Sequence, residues 1–344
     1  MQYVTTRSKD TRYSCLYALN EDRAADGGFY IPAEQVHFTR QEIASFAMKN
    51  PNQALAEILN LLFDQELTRW DVDFAAGRYP VRLSTMVRKI TIAEMWHNVD
   101  WEFDRTVRNL AARIRGSRDI AQPAGDWAQI AVAIGVLFGL FGELMREGVA
   151  GKDKKVDIAV PSADFRLAMA CFYAKSWGLP IGDIIICCNE NNNLWNLIRH
   201  GEMRTALSLV ETHTPQCDQV YPEDLERLIH LCGGEGECIR FCEAASAFRS
   251  FFPEDATLQK LQEGVYISVI SQSRVENTIS TTYKNHSYVF GPYSALCHAG
   301  LADYRSRMGM GNHALILSHR GALCDDGYVA GNLNMAVSTL HNTL

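Results

Sequence analysis

The sequence predicts an α/β protein in which helices cover a parallel sheet, preceded by a smaller N-terminal domain. From residue 89 onward, segments typical of buried strands alternate with helical patterns: KITIAEMW, VDIAVPS, GDIIICCNE and HALILSH. The clearest unit runs from Val156 to Glu190, where the strand VDIAV, the helix ADFRLAMACFYAKSW and the strand DIIICC follow one another. This order predicts a right-handed crossover. With 344 residues and 47% apolar content, the chain can bury such a core.

Residues 1–88 have a different pattern, which predicts a small helical or mixed domain ahead of a core that spans residues 89–344. A turn-rich opening, NEDRAADGGFYIP, is followed by TRQEIASFAMKN and NQALAEILNLLFDQE. In both later segments apolar residues recur at the i, i+3, i+4 spacing of an amphipathic helix. We therefore expect helices here, after a loop-rich start.

Composition excludes several classes of protein. The net charge is -7 and the basic residues are dispersed, so nucleic acid is not an expected partner. The start, MQYVTTRSKD, lacks an apolar signal-peptide core, which predicts a cytoplasmic protein whose ten cysteines are thiols. The apolar run from Ile130 to Leu144 is interrupted by Glu143 before the ~20 residues that a bilayer requires. We expect a buried helix there and no contact with a membrane.

Polar residues follow several of the predicted strands. Ser162 is predicted to cap the crossover helix and Gly178 to end it. Because ligands of parallel sheets bind beyond the carboxyl ends of the strands, four segments are expected to lie together. These segments are His97 to Asp104, Ser162 to Arg166, Asn189 to Asn193 and Ser318 to Arg320.

Ordered motifs along the chain resemble those of the threonine synthase family, enzymes of the fold-type II class that depend on pyridoxal phosphate (PLP). The most specific is DGGFYIP near the N-terminus. It is followed in the family's order by VPSADF, AKSWGLP, NENNN, CDQVYPEDLERL and YVFGPYSALCHAGLADYR. The resemblance implies the tryptophan-synthase-β-like sheet of that class, with an N-terminal domain in front.

The resemblance also implies that this chain lacks the lysine that forms the PLP Schiff base. TIAEMWHNVDWEFDRTVRNLAARI lies where the family has that lysine, and Phe103 matches the phenylalanine in front of it. Asp104 occupies the position of the lysine. A carboxylate cannot condense with an aldehyde, and the guanidinium of Arg105 stays protonated. We therefore expect no catalytic residue at this position.

The loop that holds the cofactor phosphate in the family, Gly-Asn-Phe-Gly, is here Ala163, Asp164, Phe165 and Arg166. A phosphate binds to bare backbone N–H groups at a helix N-terminus, where Asp164 adds a like charge. Arg166 offsets part of that repulsion. We expect no bound cofactor, or at most weak and noncovalent binding of PLP. The degenerate candidates for contacts to PLP are Ser162, Ala163, Asp164, Phe165, Arg166, Asn189, Glu190 and Ser318.

The family's small domain, which closes over the substrate, is expected to be largely missing. Ile114 is joined to Asp126 by the short segment RGSRDIAQPAG, where the family inserts that domain. Without it, a ligand at the sheet edge would be exposed to water. Its loss would also expose apolar surface, which predicts a homo-oligomer or a protein partner over that surface.

Plainer interpretations stand beside these. His97 matches a substrate-binding histidine of the family by position, but a histidine at a strand end also serves as a local hydrogen-bonding group. Asn189 to Asn193 is either the lining of a polar pocket or a capped loop after a strand. Glu102 with Asp104 as an acid–base pair, and Ser318 with His319 as a nucleophile and base, are the weaker alternatives.

A zinc site is a further alternative, formed by Cys232, Cys238 and Cys242 with His230. The spacing of these residues fits none of the usual ligand pairs, so we expect no metal and predict thiols on a helix face.

Three functions follow from these residues. The first is a catalytically inactive relative of threonine synthase that binds a small anion, a metabolite or another chain. The second is an active PLP-dependent lyase, acting on a phosphorylated amino acid, whose lysine or lid comes from a partner. The third is an assembly protein without a pocket.

Overall fold

The computed structural model of the chain describes residues 1–76, 81–86, 89–95, 103–117, 119–309 and 311–344. For Ala76 and Asp104 it describes the backbone alone. The first part of the chain comprises β1 (Gln2–Thr5), β2 (Tyr13–Ser14), α1 (Cys15–Asn20), β3 (Tyr30–Pro32), α2 (Arg40–Ser45), α3 (Pro51–Phe63) and α4 (Arg69–Ala76). Its three strands form an antiparallel sheet in the order β2-β1-β3.

The rest of the chain forms the larger unit. Its elements are β4 (Arg82–Met86), β5 (Ile90–Glu94), α5 (Phe103–Ile114), α6 (Asp126–Arg146), β6 (Val156–Pro161), α7 (Phe165–Ser176), β7 (Ile181–Cys188), α8 (Asn193–His200), α9 (Leu225–Ser246), α10 (Asp255–Gly264), β8 (Val265–Val269), α11 (Gln272–His286), α12 (Pro292–Met308), β9 (His313–Ser318), α13 (Asp326–Leu333) and α14 (Val337–Thr343). Short 3-10 helices cover Phe46–Met48, Pro215–Cys217 and Ala322–Asp325.

A six-stranded sheet in the order β4-β5-β9-β6-β7-β8 lies at the centre of the larger unit. The strands from β5 to β8 in this order are parallel, and only the edge strand β4 runs antiparallel to its neighbour among the described pairings. The α/β fold predicted from the sequence is confirmed, with a mixed sheet rather than a purely parallel one. β4 belongs to this sheet although it precedes the predicted boundary after residue 88, which stays a prediction.

The long helix α6 packs between the helices of the N-terminal part and α7, which lies against the sheet. A Cβ atom on Gly135 would lie 2.3 Å from Cδ1 of Leu55, and one on Gly139 would lie 3.0 Å from Pro51, so α3 approaches the backbone of α6 closely. In the described part of the chain α6 is long and apolar enough to cross a membrane, but 83% of its most apolar window is buried inside the fold. The predicted buried helix is therefore confirmed.

Two details of the crossover unit differ from expectation. The predicted cap Ser162 is wrong, because α7 begins two residues later with Asp164 as its N-cap. The Ser162 amide instead donates to the carbonyl of Cys187 on the neighbouring strand, 2.9 Å away. Gly178 ends the helix as predicted, with a φ of +113° directly after the C-cap residue Trp177.

The strand β8 and the helices α13 and α14 have no counterpart in the sequence prediction. β8 follows α10 without an intervening turn, so VYISV reads as a continuation of the helix DATLQKLQEG. Only its pairing with β7, for example Ile186 with Ile267, defines it as a strand.

A buried carboxylate joins the N-terminal segment to α9. Glu226, which is 2% exposed, accepts from Arg7 Nε at 3.0 Å and Nη2 at 2.9 Å, and also from the hydroxyl of Thr6. Arg23 Nη1 lies 3.4 Å from the same carboxylate. Burial acts to raise the pKa of Glu226, but the bonds from Arg7 and Thr6 outweigh it and lower that pKa. These contacts therefore favour the ionised carboxylate.

We predict that Glu226→Gln lowers the free energy of unfolding by roughly 2 kcal/mol, because it removes the charge that the buried hydrogen bonds require. The matched control is Glu223→Gln, whose side chain is 77% exposed although it lies 2.9 Å from Arg23, and it should cost less than about 0.5 kcal/mol. Urea unfolding at neutral pH measures both. The difference in stability between wild type and Glu226→Gln should vanish as the pH falls through the folded pKa of Glu226. The ionised carboxylate stabilises the fold fully only above the pKa that Glu226 has in the unfolded chain. Equal losses in the two variants at neutral pH would contradict this role.

Candidate functional site

The carboxyl ends of β5, β9 and β6 meet at one edge of the sheet, as the sequence predicted for the segments that follow them. The amide of Met95, directly after β5, donates to the carbonyl of Ser318 at 2.9 Å. A narrow cleft there is lined by Met95, Phe103, Gln129, Ala133, Asp164, Arg166, Leu167 and His319. Its free space is about that of one water molecule. Three of the four predicted segments thus contribute to this cleft.

His97 and Glu102 lie outside the described residues, so the predicted roles for them stay predictions. Asp104 is the second residue of α5, and its side chain also lies outside the description. The neighbouring Arg105 is exposed on the same helix.

The N-terminus of α7 carries its own negative charge. Asp164 caps the helix, with Oδ1 accepting from the amide of Leu167 at 3.4 Å. Arg166 Nε lies 3.6 Å from Asp164 Oδ1, and Arg166 Nη1 lies 3.9 Å from Asp126 Oδ1. The carboxylate therefore occupies the positive end of the helix dipole, where a phosphate would otherwise bind.

Four other candidates in this region have structural partners. The backbone carbonyl of the buried Ser162 accepts from Gln219 Nε2 at 2.8 Å. Phe165 is buried in the main core, and Ala163 packs against the apolar cluster on the other side of the sheet. The hydroxyl of Ser318 lies 2.6 Å from that of Ser294, and both residues are buried.

The segment after β7 forms a closed polar network. The amide of Asn189 donates to Asp218 Oδ1 at 2.6 Å, to Thr212 Oγ1 at 2.9 Å and to Thr214 Oγ1 at 3.0 Å. Asn191 Nδ2 donates to the same Asp218 oxygen at 2.9 Å. The asparagines therefore hold the loop that contains residues 210–218, which favours the capped-loop interpretation. The fourth predicted segment lines a second, water-sized space with His213 and Tyr328.

Glu190 is also engaged, since its Oε1 accepts from the amide of Gln272 at 3.0 Å in the first turn of α11. The N-terminus of α11, like that of α7, is thus satisfied by a carboxylate of the chain itself.

Sequence reasoning missed a line of buried charges behind the site. Arg227, which is 0% exposed, bridges Asp126 at the start of α6 and Asp224 just before α9, and its guanidinium lies 4.1 Å from the ring centre of Phe29. Burial raises the pKa of Asp224, which Arg227 partly offsets. The LERL motif contains Arg227, but its spacing does not reveal that this arginine is buried between two carboxylates.

The cysteines of β7 and α9 lie at packing positions. Cys187 and Cys188 are buried in β7, and Cys232, Cys238 and Cys242 belong to α9. Within the described ranges, no group of three or more His, Cys, Asp or Glu side chains is arranged to hold a metal ion.

Comparison with known proteins agrees with this arrangement. Residues 2–74 match the family model "Threonine synthase N terminus". The threonine synthase-like 1 protein of Homo sapiens is 25% identical over 175 residues, which is 50% of this chain and 23% of that protein. The threonine synthase of Saccharomyces cerevisiae is 28% identical over 193 residues, covering 50% of this chain and 36% of that enzyme. The chain thus matches about a quarter of the length of the threonine synthase-like 1 proteins.

Two solved structures share the fold. PLP-bound threonine synthase from Brucella melitensis superposes with a TM-score of 0.85 at 17% identity, over 96% of this chain and 91% of that one. Yeast threonine synthase gives a TM-score of 0.83 at 17% identity, over 97% and 90% of the two chains. The chain therefore has the fold of these threonine synthases, as the sequence predicted.

The sequence matches are to threonine synthases and threonine synthase-like proteins. They bear out the resemblance predicted from DGGFYIP and the later motifs.

The residues at the sheet edge fit PLP poorly. A phosphate at α7 would meet the carboxylate of Asp164, which already caps that helix. The polar groups of Asn189, Glu190 and Ser318 are hydrogen-bonded within the chain. Binding of the cofactor would have to break these contacts or oppose that charge.

We predict that Asp164→Asn increases the affinity for pyridoxamine phosphate about tenfold, since ~1.4 kcal/mol is within the repulsion of two charges about 4 Å apart. Asparagine keeps the N-cap, so the stability of α7 should be retained. Pyridoxamine phosphate has no aldehyde, so calorimetric titration reports noncovalent binding only. The control Asp153→Asn removes an exposed charge elsewhere and should leave the affinity unchanged. If both variants behave alike, Asp164 does not govern the site.

Proposed function

We propose that the chain is a catalytically inactive relative of threonine synthase that acts by binding. The carboxylate of Asp164 at the N-terminus of α7 carries this proposal, because it places the protein's own charge where the family's loop binds a phosphate. Arg166 lies close enough to neutralise part of that charge. The helix end is thus satisfied without a cofactor.

The chain also offers no nearby amine for a Schiff base. Asp104 stands at the lysine position by resemblance, and the flanking lysines in sequence are Lys89 and Lys152. Lys89 precedes β5, about 16 Å from the carboxyl edge at ~3.3 Å per residue. Lys152 follows the far end of α6, a helix of 21 residues that is ~30 Å long. Both positions support a function without covalent PLP chemistry.

We predict that incubation with PLP followed by borohydride leaves no stoichiometric adduct, because neither flanking lysine lies at the carboxyl edge of the sheet. Mass spectrometry of the reduced protein measures this. The heat-unfolded chain is the control for labelling of surface lysines, and the folded chain should not exceed it. A phosphopyridoxyl group on one lysine of the folded chain would contradict the proposal and favour an active lyase.

The binding function extends to another copy of the chain. On α4, Trp70 is 73% exposed and Phe74 is 92% exposed, one helical turn apart. α4 packs beside α5 through the ion pair between Arg113 and Asp71, so these rings lie near the segment where the family's small domain is expected to be missing. Exposed apolar surface of this kind supports an interface.

We predict that light scattering detects a dimer that Trp70→Ser with Phe74→Ser converts to monomer, because the pair removes the apolar surface. The control is Met48→Ser, which changes an 88% exposed side chain outside α4 and should leave the dimer intact. A wild-type monomer at all concentrations would refute the interface.

A further inference from the structure

A second cleft lies beside the sheet edge and is bordered by Pro123 and Ala124, just before α6. It has a volume of about 190 Å³, well above the space that one water molecule needs. It is lined by Val107, Arg108, Pro123, Ala124, Gln129 and Arg166. Two arginines and one glutamine therefore line the cleft, and its other lining residues are apolar.

Hydrogen bonds hold the residues next to Pro123 and Ala124 in place. Arg115 donates from Nη2 to the carbonyl of Pro123 at 2.6 Å and from Nε to Asn20 Oδ1 at 2.5 Å. The amide of Gly125 donates to the carbonyl of Leu19 at 2.7 Å, and a Cβ atom on Gly125 would lie 2.6 Å from the carbonyl oxygen of Glu21. Arg115 and Gly125 are thus bonded to α1, which positions the neighbouring Pro123 and Ala124 at the cleft.

Arg108 is the second arginine of the cleft, and no described carboxylate pairs with it. Its neighbours on α5 are engaged, since Asn109 donates to the carbonyl of Ala75 at 2.9 Å and Arg113 to Asp71. The side chain of Arg108 is half-buried, and within the described parts of the chain no carboxylate lies within ion-pair distance of it. The exposed Arg105 lies one turn earlier, near the positive end of the helix dipole. Arg105 and Arg108 thus place two basic side chains in the first two turns of α5.

Arg166 supplies the second guanidinium. Its distances of 3.6 Å to Asp164 and 3.9 Å to Asp126 position it but also reduce its field, so an anion in the cleft would also need Arg108. Guanidinium groups bind carboxylates and phosphates through paired N–H donors. The amide of Gln129 offers one more donor, and Val107 and Pro123 can contact a short carbon chain.

We propose that this cleft binds a small organic anion, a short metabolite with a phosphate or carboxylate group, between Arg108 and Arg166. The proposal rests on the proposed binding function and names its ligand class. Its site depends on Arg166 and on the short joining segment, the two places where this sequence departs from the family's phosphate loop and small-domain insertion.

The test is calorimetric titration with inorganic phosphate and, separately, with succinate, at an ionic strength held constant with sodium chloride. We expect one saturable site for at least one of the two probes, which also tells phosphate from carboxylate recognition. Arg108→Gln and Arg166→Gln should each weaken binding at least about tenfold, the scale of one lost charge-assisted contact. Arg108→Lys keeps the charge but loses the paired donors, so it should weaken binding by about threefold.

Arg105→Gln is the matched control, since it removes the same charge from the same helix but does not line the cleft, and it should change affinity less than about twofold. Absence of saturable binding for both probes, or equal losses in Arg105→Gln and Arg108→Gln, would overturn the proposal. If circular dichroism shows that Arg108→Gln does not fold, the affinity of Arg108→Lys tests the role of Arg108 instead. The borohydride experiment reports on PLP chemistry alone, so failure of the anion site is distinguishable from failure of the proposed inactive function.

Discussion

The buried guanidinium of Arg227 holds the parts of this fold together. It bridges Asp126 at the start of α6 and Asp224 just before α9, while the adjacent Glu226 binds Thr6 and Arg7 of the N-terminal segment. A buried charge without its partner is strongly destabilising, so these residues require one another. Because Asp126 also lies near Arg166, the same line of charges reaches the sheet edge and helps to orient Arg166 in the first turn of α7.

At that edge, the chain satisfies its own polar groups. Asp164 caps α7, Glu190 serves α11, and Asn189 holds Thr212, Thr214 and Asp218. In an enzyme that uses a cofactor, such groups have to remain available for the ligand. Their internal pairing favours a rigid scaffold with a retained fold, whereas the cationic cleft around Arg108 leaves charge available for a partner.

Much of the fold was predictable because its signals are local. The strands around VDIAV and IIICC are continuous apolar runs, and Gly178 ends the helix between them. β8 was missed because its sequence continues the pattern of α10, and its strand character comes only from pairing with β7. Ser162 was assigned as the cap because the sequence does not reveal that its amide pairs with Cys187, which leaves the cap to Asp164.

The sequence alone determined the α/β class and the resemblance to threonine synthases, from which the expectation that Asp104 replaces the lysine follows, since each depends on residue identity and order. Only the tertiary structure decided which charges meet. Asp126 and Arg227 are 101 positions apart, and Arg108 and Arg166 share one cleft although two secondary-structure elements and a strand-ending loop separate them. Electrostatic interaction depends on distance in space and on burial, and neither quantity is written in the spacing of residues along the chain.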